Sequence, residues 1–289
     1  MEKKKMVLCT RIPEKELEKI KQYCDITEAG ELLHGKGNST EETLREECMG
    51  KELVVLGDEP AGAETLKAWA ASGMKFLGVA KGTPVTVSFD ALRELGIPLS
   101  YTPGRNAVAV AEYTIGMMIA VTRHIGISSA GLLRGEHLGA PVEDVYQVPD
   151  VRNVIWGPLD ANHPFTDYGI GFELYGKTLG IAGFGAIGRQ VASRAKAFGM
   201  EVLAYDPYCP ESAMLEAGVQ PAGLEQMLSG SDIVSIHLSV LPSTKAIVDK
   251  SWFEKMKPTA YLINTARAAV IHQKDLVDAL ENGTIQGAA

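Results

Sequence analysis

Short apolar runs alternate along the chain with longer stretches in which apolar residues recur every three or four positions. Val7-Leu8-Cys9, Leu53-Val54-Val55-Leu56, Phe76-Leu77-Gly78-Val79-Ala80 and Ile97-Pro98-Leu99-Ser100-Tyr101 read as strands, and the spacing between them predicts helices near 14–23, 41–48, 63–71 and 89–95. A break at Pro103-Gly104 precedes one long helical stretch, from about Ala107 to about Ile127, whose small and apolar residues imply burial on several sides. From Leu174 the alternation resumes, with strands at 178–182, 201–205, 232–238, 260–265 and 284–288 and helices near 187–198, 223–229, 251–256 and 274–282. Strand and helix in strict alternation signal an α/β fold with mainly parallel sheets. Two such series, with a hinge placed near residue 102, predict two domains, 1–102 and 103–289, the second with the spacing of a doubly wound nucleotide-binding sheet.

Composition narrows the function classes. The 289 residues are 46% hydrophobic and 22% charged, enough for two real cores. A formal charge of -8 disfavours nucleic acid and anionic lipid as partners. The one basic run, Lys3-Lys4-Lys5, lacks the apolar core of a secretory signal and reads as a solvated terminus. No stretch reaches the ~18 apolar residues of a membrane span. Cys9, Cys24, Cys48 and Cys209 are scattered, without the spacing of a zinc site, so no metal is expected and a reducing cytoplasm is the expected compartment. Asn38-Ser39-Thr40 matches a glycosylation sequon and reads as a polar loop. The segment 132–172, interrupted by Pro141, Pro149, Pro158 and Pro164, has little periodicity. It is either a lid or oligomer arm or a passive surface excursion, with Trp156 and Phe165 packing against something.

The chemistry concentrates where the strand at 178–182 should turn into a helix. There Gly183-Phe184-Gly185-Ala186-Ile187-Gly188 forms a G-x-G-x-x-G turn. Gly183 permits the tight turn, Gly185 lets the backbone approach a pyrophosphate, and Gly188 lets helix and strand pack closely. Ala186 and Ile187 open the helix, whose N-terminal amides favour phosphate. Asp206 ends the next strand, 18 residues beyond Gly188, where an acid would bind the adenosine ribose. At ~4 Å and an effective dielectric near 20, a carboxylate repels one phosphate charge by up to ~4 kcal/mol. The residues that follow, Pro207-Tyr208-Cys209, supply no arginine, so Asp206 should select NAD over NADP.

These residues resemble the D-isomer-specific 2-hydroxyacid dehydrogenases, which include phosphoglycerate and glycerate dehydrogenases. Besides the glycine turn, the likeness is carried by Gly96-Ile97-Pro98 with Thr102-Pro103-Gly104-Arg105-Asn106, by Val110-Ala111-Glu112-Tyr113-Thr114, by Ile236-His237-Leu238 and by Ile263-Asn264-Thr265-Ala266-Arg267, and it extends from about residue 50 to the end. The resemblance implies a Rossmann domain and a smaller, flavodoxin-like substrate domain that close on NAD and a 2-hydroxy or 2-keto acid. It implies that Arg267 clamps the substrate carboxylate, a task suited to a planar guanidinium. Lys81, Gly82 and Thr83 should offer backbone amides to that carboxylate, and Asn106 should shape the cleft. Leu238, Ser239, Thr265 and Ala266 should line the nicotinamide side, with Thr244 also toward the cofactor, and Thr114 should approach the phosphates. His237 is either a packing residue or a cofactor contact. The long helix from Ala107 resembles the family's dimer element, implying a homodimer. The loop reading Gly82-Thr83-Pro84-Val85-Thr86-Val87-Ser88 departs from the family's G-x-G-V-D-N-V-D, so the substrate is left open.

The same resemblance implies a glutamate and a histidine for acid/base work, both falling beyond Ala289. None of His34, His124, His137, His163 or His272 stands in the matching place; His272, five residues past Arg267, is the nearest substitute, and His124 reads as a satisfied packing residue within the long helix. On this reading the chain binds NAD but turns over little or not at all. The alternative from another class is a noncatalytic NAD-responsive, corepressor-like binding protein with a partner surface on 140–165. A formate-dehydrogenating relative fits less well, lacking that family's longer N-terminal region.

Overall fold

The computed structural model describes residues 2–35, 37–136, 168–169 and 171–289. Most of the 132–172 segment, with Trp156, Phe165, His137 and His163, lies outside the described residues. The chain divides into two compact units, Met1–Asn106 and Ala107–Ala289, with the break a few residues beyond the expected hinge.

The first unit holds a five-stranded parallel sheet in the order β2-β1-β3-β4-β5, made of β1 (Lys4–Leu8), β2 (Cys24–Glu28), β3 (Leu53–Leu56), β4 (Phe76–Val79) and β5 (Leu99–Tyr101). The period of two is visible in its cores. Val7, Val54 and Leu56 face Leu44, Leu66, Trp69 and Leu92 from helices α3 (Glu41–Glu47), α4 (Ala63–Ala71) and α5 (Phe89–Leu95), whereas Met6, Leu8, Leu53 and Val55 face Leu17 and Ile20 of α1 (Glu14–Lys21). Strand β2 and the short helix α2 (Gly30–His34) are additions to the expected elements. The strand reads Cys-Asp-Ile-Thr-Glu, lies at the sheet edge and buries only Cys24, so it carries no continuous apolar run.

The second unit is built on a six-stranded parallel sheet, ordered β11-β10-β9-β6-β7-β8, from β6 (Thr178–Ala182), β7 (Glu201–Tyr205), β8 (Gln220–Pro221), β9 (Ile233–Ile236), β10 (Tyr261–Asn264) and β11 (Gly287–Ala288). Every residue of β9 is buried, as is expected of a strand covered on both faces. Leu179, Ile181, Ile233, Tyr261 and Ile263 pack to one side with Ala111, Ile115 and Met118 of α6 (Ala107–Thr122) and Val191, Ala192 and Ala195 of α8 (Ala186–Ala197). Val234, Ile236 and Leu262 pack to the other with Met227, Leu228, Trp252, Phe253 and Ala279 from helices 224–230, 250–253 and 273–281. The small helix Glu211–Glu216 and strand β8 were not expected.

The long helix is shorter than its pattern suggests. It stops at Thr122, and α7 (Ile125–Leu133) leaves it at 65°. The hydroxyls of Thr114 and Thr122 donate to the carbonyls of Val110 and Met118 one turn back, a bonding pattern that bends helices. His124 then takes a left-handed φ of 53°. It therefore sits at a break rather than within a helix, and its buried Nδ1 has no partner among the described residues, so it is not a satisfied packing histidine. No single helix among the described residues is long and apolar enough to cross a membrane.

Asp232 ties this sheet together. Its carboxylate accepts from the Thr178 amide at the start of β6 and from the Lys257 ammonium, both at 2.9 Å. Burial opposes ionisation there, but the amide and the ammonium outweigh it and hold the carboxyl below its ordinary value. The unfolded chain takes up its proton first as pH falls, so the contribution is present above the ordinary carboxylate pKa of about 3.9 and is lost in acid below it. Asp232→Ala is expected to lower unfolding free energy by about 1–3 kcal/mol at pH 7. Urea midpoints should show the difference from wild type narrowing below about pH 4.

Candidate functional site

The carboxyl end of β6 runs directly into the glycine turn. Gly183 adopts φ +95°, and a Cβ there would lie 2.8 Å from the His237 carbonyl oxygen at the end of β9. Only glycine fits that passage. Gly188 is equally constrained, since a Cβ would strike the Gly183 carbonyl. Gly185 differs: it caps α8 in ordinary extended backbone, and a Cβ would meet nothing within 4 Å. The missing side chain there leaves space outside the helix N-terminus. The first amide to bond back into α8 is that of Arg189, onto the Gly185 carbonyl at 3.1 Å. The amides of Ala186, Ile187 and Gly188 before it have no partner within the helix. Open space facing unpaired amides is what a pyrophosphate needs, so the turn fits a dinucleotide.

Asp206 follows β7 and is held from two sides. One carboxylate oxygen accepts from the Phe184 amide inside the turn at 2.8 Å, the other from the Tyr208 amide at 2.9 Å. The acid is thus locked to the phosphate turn, and it stands on the wall of a cavity of about 410 Å³ shared with Tyr205, Pro207, Cys209, Pro221 and Gln226. One arginine that the sequence reading did not consider stands nearby. Arg189 lies over the Phe184 ring at 4.8 Å and donates to the Ala213 carbonyl and the Cys209 sulfur. Its guanidinium is already engaged.

At the end of β9 the His237 ring bonds Ser235 Oγ through Nε2 at 2.9 Å, and Nδ1 is buried without a partner among the described residues. Burial pushes its pKa down to about 4, so the ring is neutral near pH 7. Beyond it, Leu238 sits against Gly183, and the Thr244 hydroxyl donates to the Ser239 carbonyl at 2.5 Å while accepting from the Leu241 amide at 2.8 Å. Thr244 thereby folds this loop. At the end of β10, Asn264 accepts from the Ala266 amide at 3.1 Å and donates to the Arg267 carbonyl at 3.0 Å. That pair of bonds, absent from the sequence reading, fixes the backbone that carries Arg267. The exposed guanidinium touches the Ala266 carbonyl, and no carboxylate among the described residues pairs with it. Thr265 meets the fully buried Thr114, hydroxyl to hydroxyl, at 2.7 Å. His272 also has a partner not foreseen: its Nδ1 lies 3.0 Å from Asp275, one helical turn on.

The other expected residues belong to the first unit. Lys81, Gly82 and Thr83 follow β4, and the Lys81 carbonyl accepts from the Thr102 amide at 2.9 Å, joining this loop to the one after β5. The Lys81 ammonium pairs with Asp58. Asn106 is exposed at the unit's last position.

Residues 150–289 match the family described as D-isomer specific 2-hydroxyacid dehydrogenase, NAD binding domain. The glycerate dehydrogenase of Methylorubrum extorquens is 32% identical over 86% of this chain and 69% of its own length. The chain belongs to the D-isomer specific 2-hydroxyacid dehydrogenase family. The D-3-phosphoglycerate dehydrogenase of Methanocaldococcus jannaschii is 31% identical over 91% of this chain and 45% of its own length. Among solved structures, a glyoxylate reductase from Paecilomyes thermophila superimposes with a TM-score of 0.77 at 26% identity, covering all of this chain and 81% of that one. The chain spans about half the length of the first of the curated relatives it matches. Family membership makes NAD the cofactor and gives the second unit its Rossmann character.

Two measurements separate fold from ligand at this site. Gly185→Ala should keep the wild-type thermal midpoint yet weaken NADH binding at least tenfold by calorimetry, because the added methyl enters the open space. Gly183→Ala, forced into the His237 carbonyl, should lower stability by about 1–3 kcal/mol. For His237, the depressed value means that the unfolded chain binds the extra proton. Its share of stability is therefore complete above about pH 6.5 and is lost as pH falls toward 4, by at most about 3 kcal/mol. Urea titrations at pH 7 and pH 5 should show a smaller pH effect in His237→Gln than in wild type.

Proposed function

We propose that the protein is an NAD-dependent oxidoreductase that interconverts a D-2-hydroxy acid and a 2-keto acid. The observation that carries this reading is the gathering of a dinucleotide turn, a turn-locked acid and an arginine with no carboxylate partner among the described residues at the carboxyl ends of β6, β7 and β10 in one parallel sheet, where α/β folds bind ligands. The relatives named glycerate dehydrogenase and glyoxylate reductase support a small hydroxy or keto acid as the substrate class. When bound, NAD supplies the hydride acceptor or donor.

The chain's own residues divide the remaining work. The amides of Ala186, Ile187 and Gly188 hold the pyrophosphate, and Asp206 takes the ribose hydroxyls while repelling a 2'-phosphate. Leu238, Ser239, Thr244, Thr265 and Ala266 form the cofactor side of the sheet end, with Thr114 acting behind Thr265. Arg267 receives the substrate carboxylate; in the first unit, the amides of Gly82 and Thr83 and the side chain of Asn106 are the groups suited to an anionic substrate. Reduction of a keto acid also consumes a proton, which an imidazole near neutral pH is suited to give. His237 is not that donor, because burial keeps it neutral and its Nε2 already meets Ser235.

We also propose that the protein works as a homodimer in the cytoplasm. Val108, Tyr113, Ile125, Ile127 and Leu133 leave an exposed apolar surface along α6 and α7, and all four cysteines are free.

Calorimetry tests the reading. NADH should bind, hydroxypyruvate should bind to the NADH-saturated protein, and Arg267→Ala should lose hydroxypyruvate by about 10²-fold, roughly 2.7 kcal/mol, while keeping NADH. Equal hydroxypyruvate affinity in wild type and Arg267→Ala would refute the assignment. Asp206→Ala should narrow the preference for NADH over NADPH by at least tenfold.

A further inference from the structure

The first unit carries its own charge pattern at the carboxyl end of the sheet. The loop after β3 reads Gly57-Asp58-Glu59-Pro60, and the loop after the adjacent strand β4 holds Lys81, Gly82 and Thr83. Glu59 is 3% exposed and faces inward: its oxygens accept from the Gly57 amide at 2.6 Å and the Glu31 amide at 3.0 Å. Both oxygens are thus used to hold the loop that presents Asp58. Asp58 is turned the other way, onto the Lys81 ammonium. The pair is accessible, with side chains 42% and 30% exposed. The cation closest in sequence to the substrate amides of Gly82 and Thr83 is therefore matched by a carboxylate on the next strand. The remaining basic groups at this end, Arg11 after β1 and Arg105 after β5, are exposed.

We propose that Asp58, through its pair with Lys81 beside the Gly82-Thr83 loop, is a specificity-determining residue that turns away acids carrying a second negative charge, so that the substrate is a small, non-phosphorylated 2-keto or 2-hydroxy acid. This rests on the function proposed above. The physical reason is that one carboxylate can be accommodated by the backbone amides of the Gly82-Thr83 loop, whereas a second negative charge near that loop meets the Asp58 carboxylate and finds the neighbouring Lys81 ammonium already compensated. Like charges close together disfavour binding, and discrimination of this kind comes from a built-in repulsive element as much as from attraction. The Lys81–Asp58 pair is separated by 23 positions in sequence but joined across neighbouring strands, so Asp58 acts on the loop through space.

The test titrates the NADH-saturated protein with hydroxypyruvate and with 3-phosphohydroxypyruvate by calorimetry at low ionic strength, where charge effects are largest. Wild type should bind hydroxypyruvate at least tenfold more tightly than the phosphorylated acid. Asp58→Asn should erase that preference by raising affinity for the phosphorylated acid about tenfold, and the double variant Asp58→Asn with Lys81→Met should lose the gain, with circular dichroism melts confirming that each is folded. Wild type that binds the phosphorylated acid as well as hydroxypyruvate, or an Asp58→Asn variant with unchanged preference, overturns the role of Asp58 while leaving the dehydrogenase reading intact. Binding of neither acid by wild type overturns that reading and the role of Asp58 with it.

Discussion

The second unit depends on how closely its backbone passes itself at Gly183. The end of β6 must turn outward to open α8 while leaving the end of β9 in place, and the gap between them admits no side-chain carbon. Because the passage is tight, the turn is rigid, and because it is rigid, the amides of α8 point in one direction. Close packing of Gly188 on Gly183 extends the constraint one helical turn further. A dinucleotide site built on backbone amides needs this, since backbone cannot adjust by changing rotamer.

Each functional group around the turn is fixed by a bond to backbone. Asp206 is anchored by the Phe184 amide, so the acid and the glycine turn are held as one body. Asn264 does the same for Arg267, bridging an amide and a carbonyl so that the chain leaves β10 at one angle. Thr244 ties the loop after β9. The guanidinium of Arg267 itself is left exposed.

How much of this was legible follows from burial and separation. Strands β6, β9 and β10 were readable because they are covered on both faces and therefore mostly apolar, and the glycine turn because Gly183 and Gly188 stand where no side-chain carbon fits. Strand β2 was not, being an edge with a single buried residue. The break at His124 left little trace either: threonines bonding back to their own helix bend it, with no proline there and only Gly126 just beyond. The site residues were named by motif, but their supports were not, because Phe184 with Asp206 and Asn264 with Ala266 join a side chain to a backbone amide. Any residue supplies such an amide, so sequence carries no mark of the pairing. The His272 pairing with Asp275 at one-turn spacing is the kind of contact a helical reading can find.

The two units use charge in different ways. In the second, on the proposed function, Asp206 would meet a polar, uncharged ribose and disfavour a phosphate there. In the first, on the role proposed for it, Asp58 pairs with Lys81 beside the Gly82-Thr83 loop and would disfavour a second negative charge there. Both acids are oriented by the protein rather than left to solvent: Asp206 by two backbone amides, Asp58 by a loop that the buried Glu59 clamps. An acid free to rotate could swing away from an incoming negative charge, and the repulsion would shrink with distance and screening. Held in place, it cannot, so the hydrogen bonds that orient these two carboxylates are what would convert an ordinary surface charge into selection among ligands.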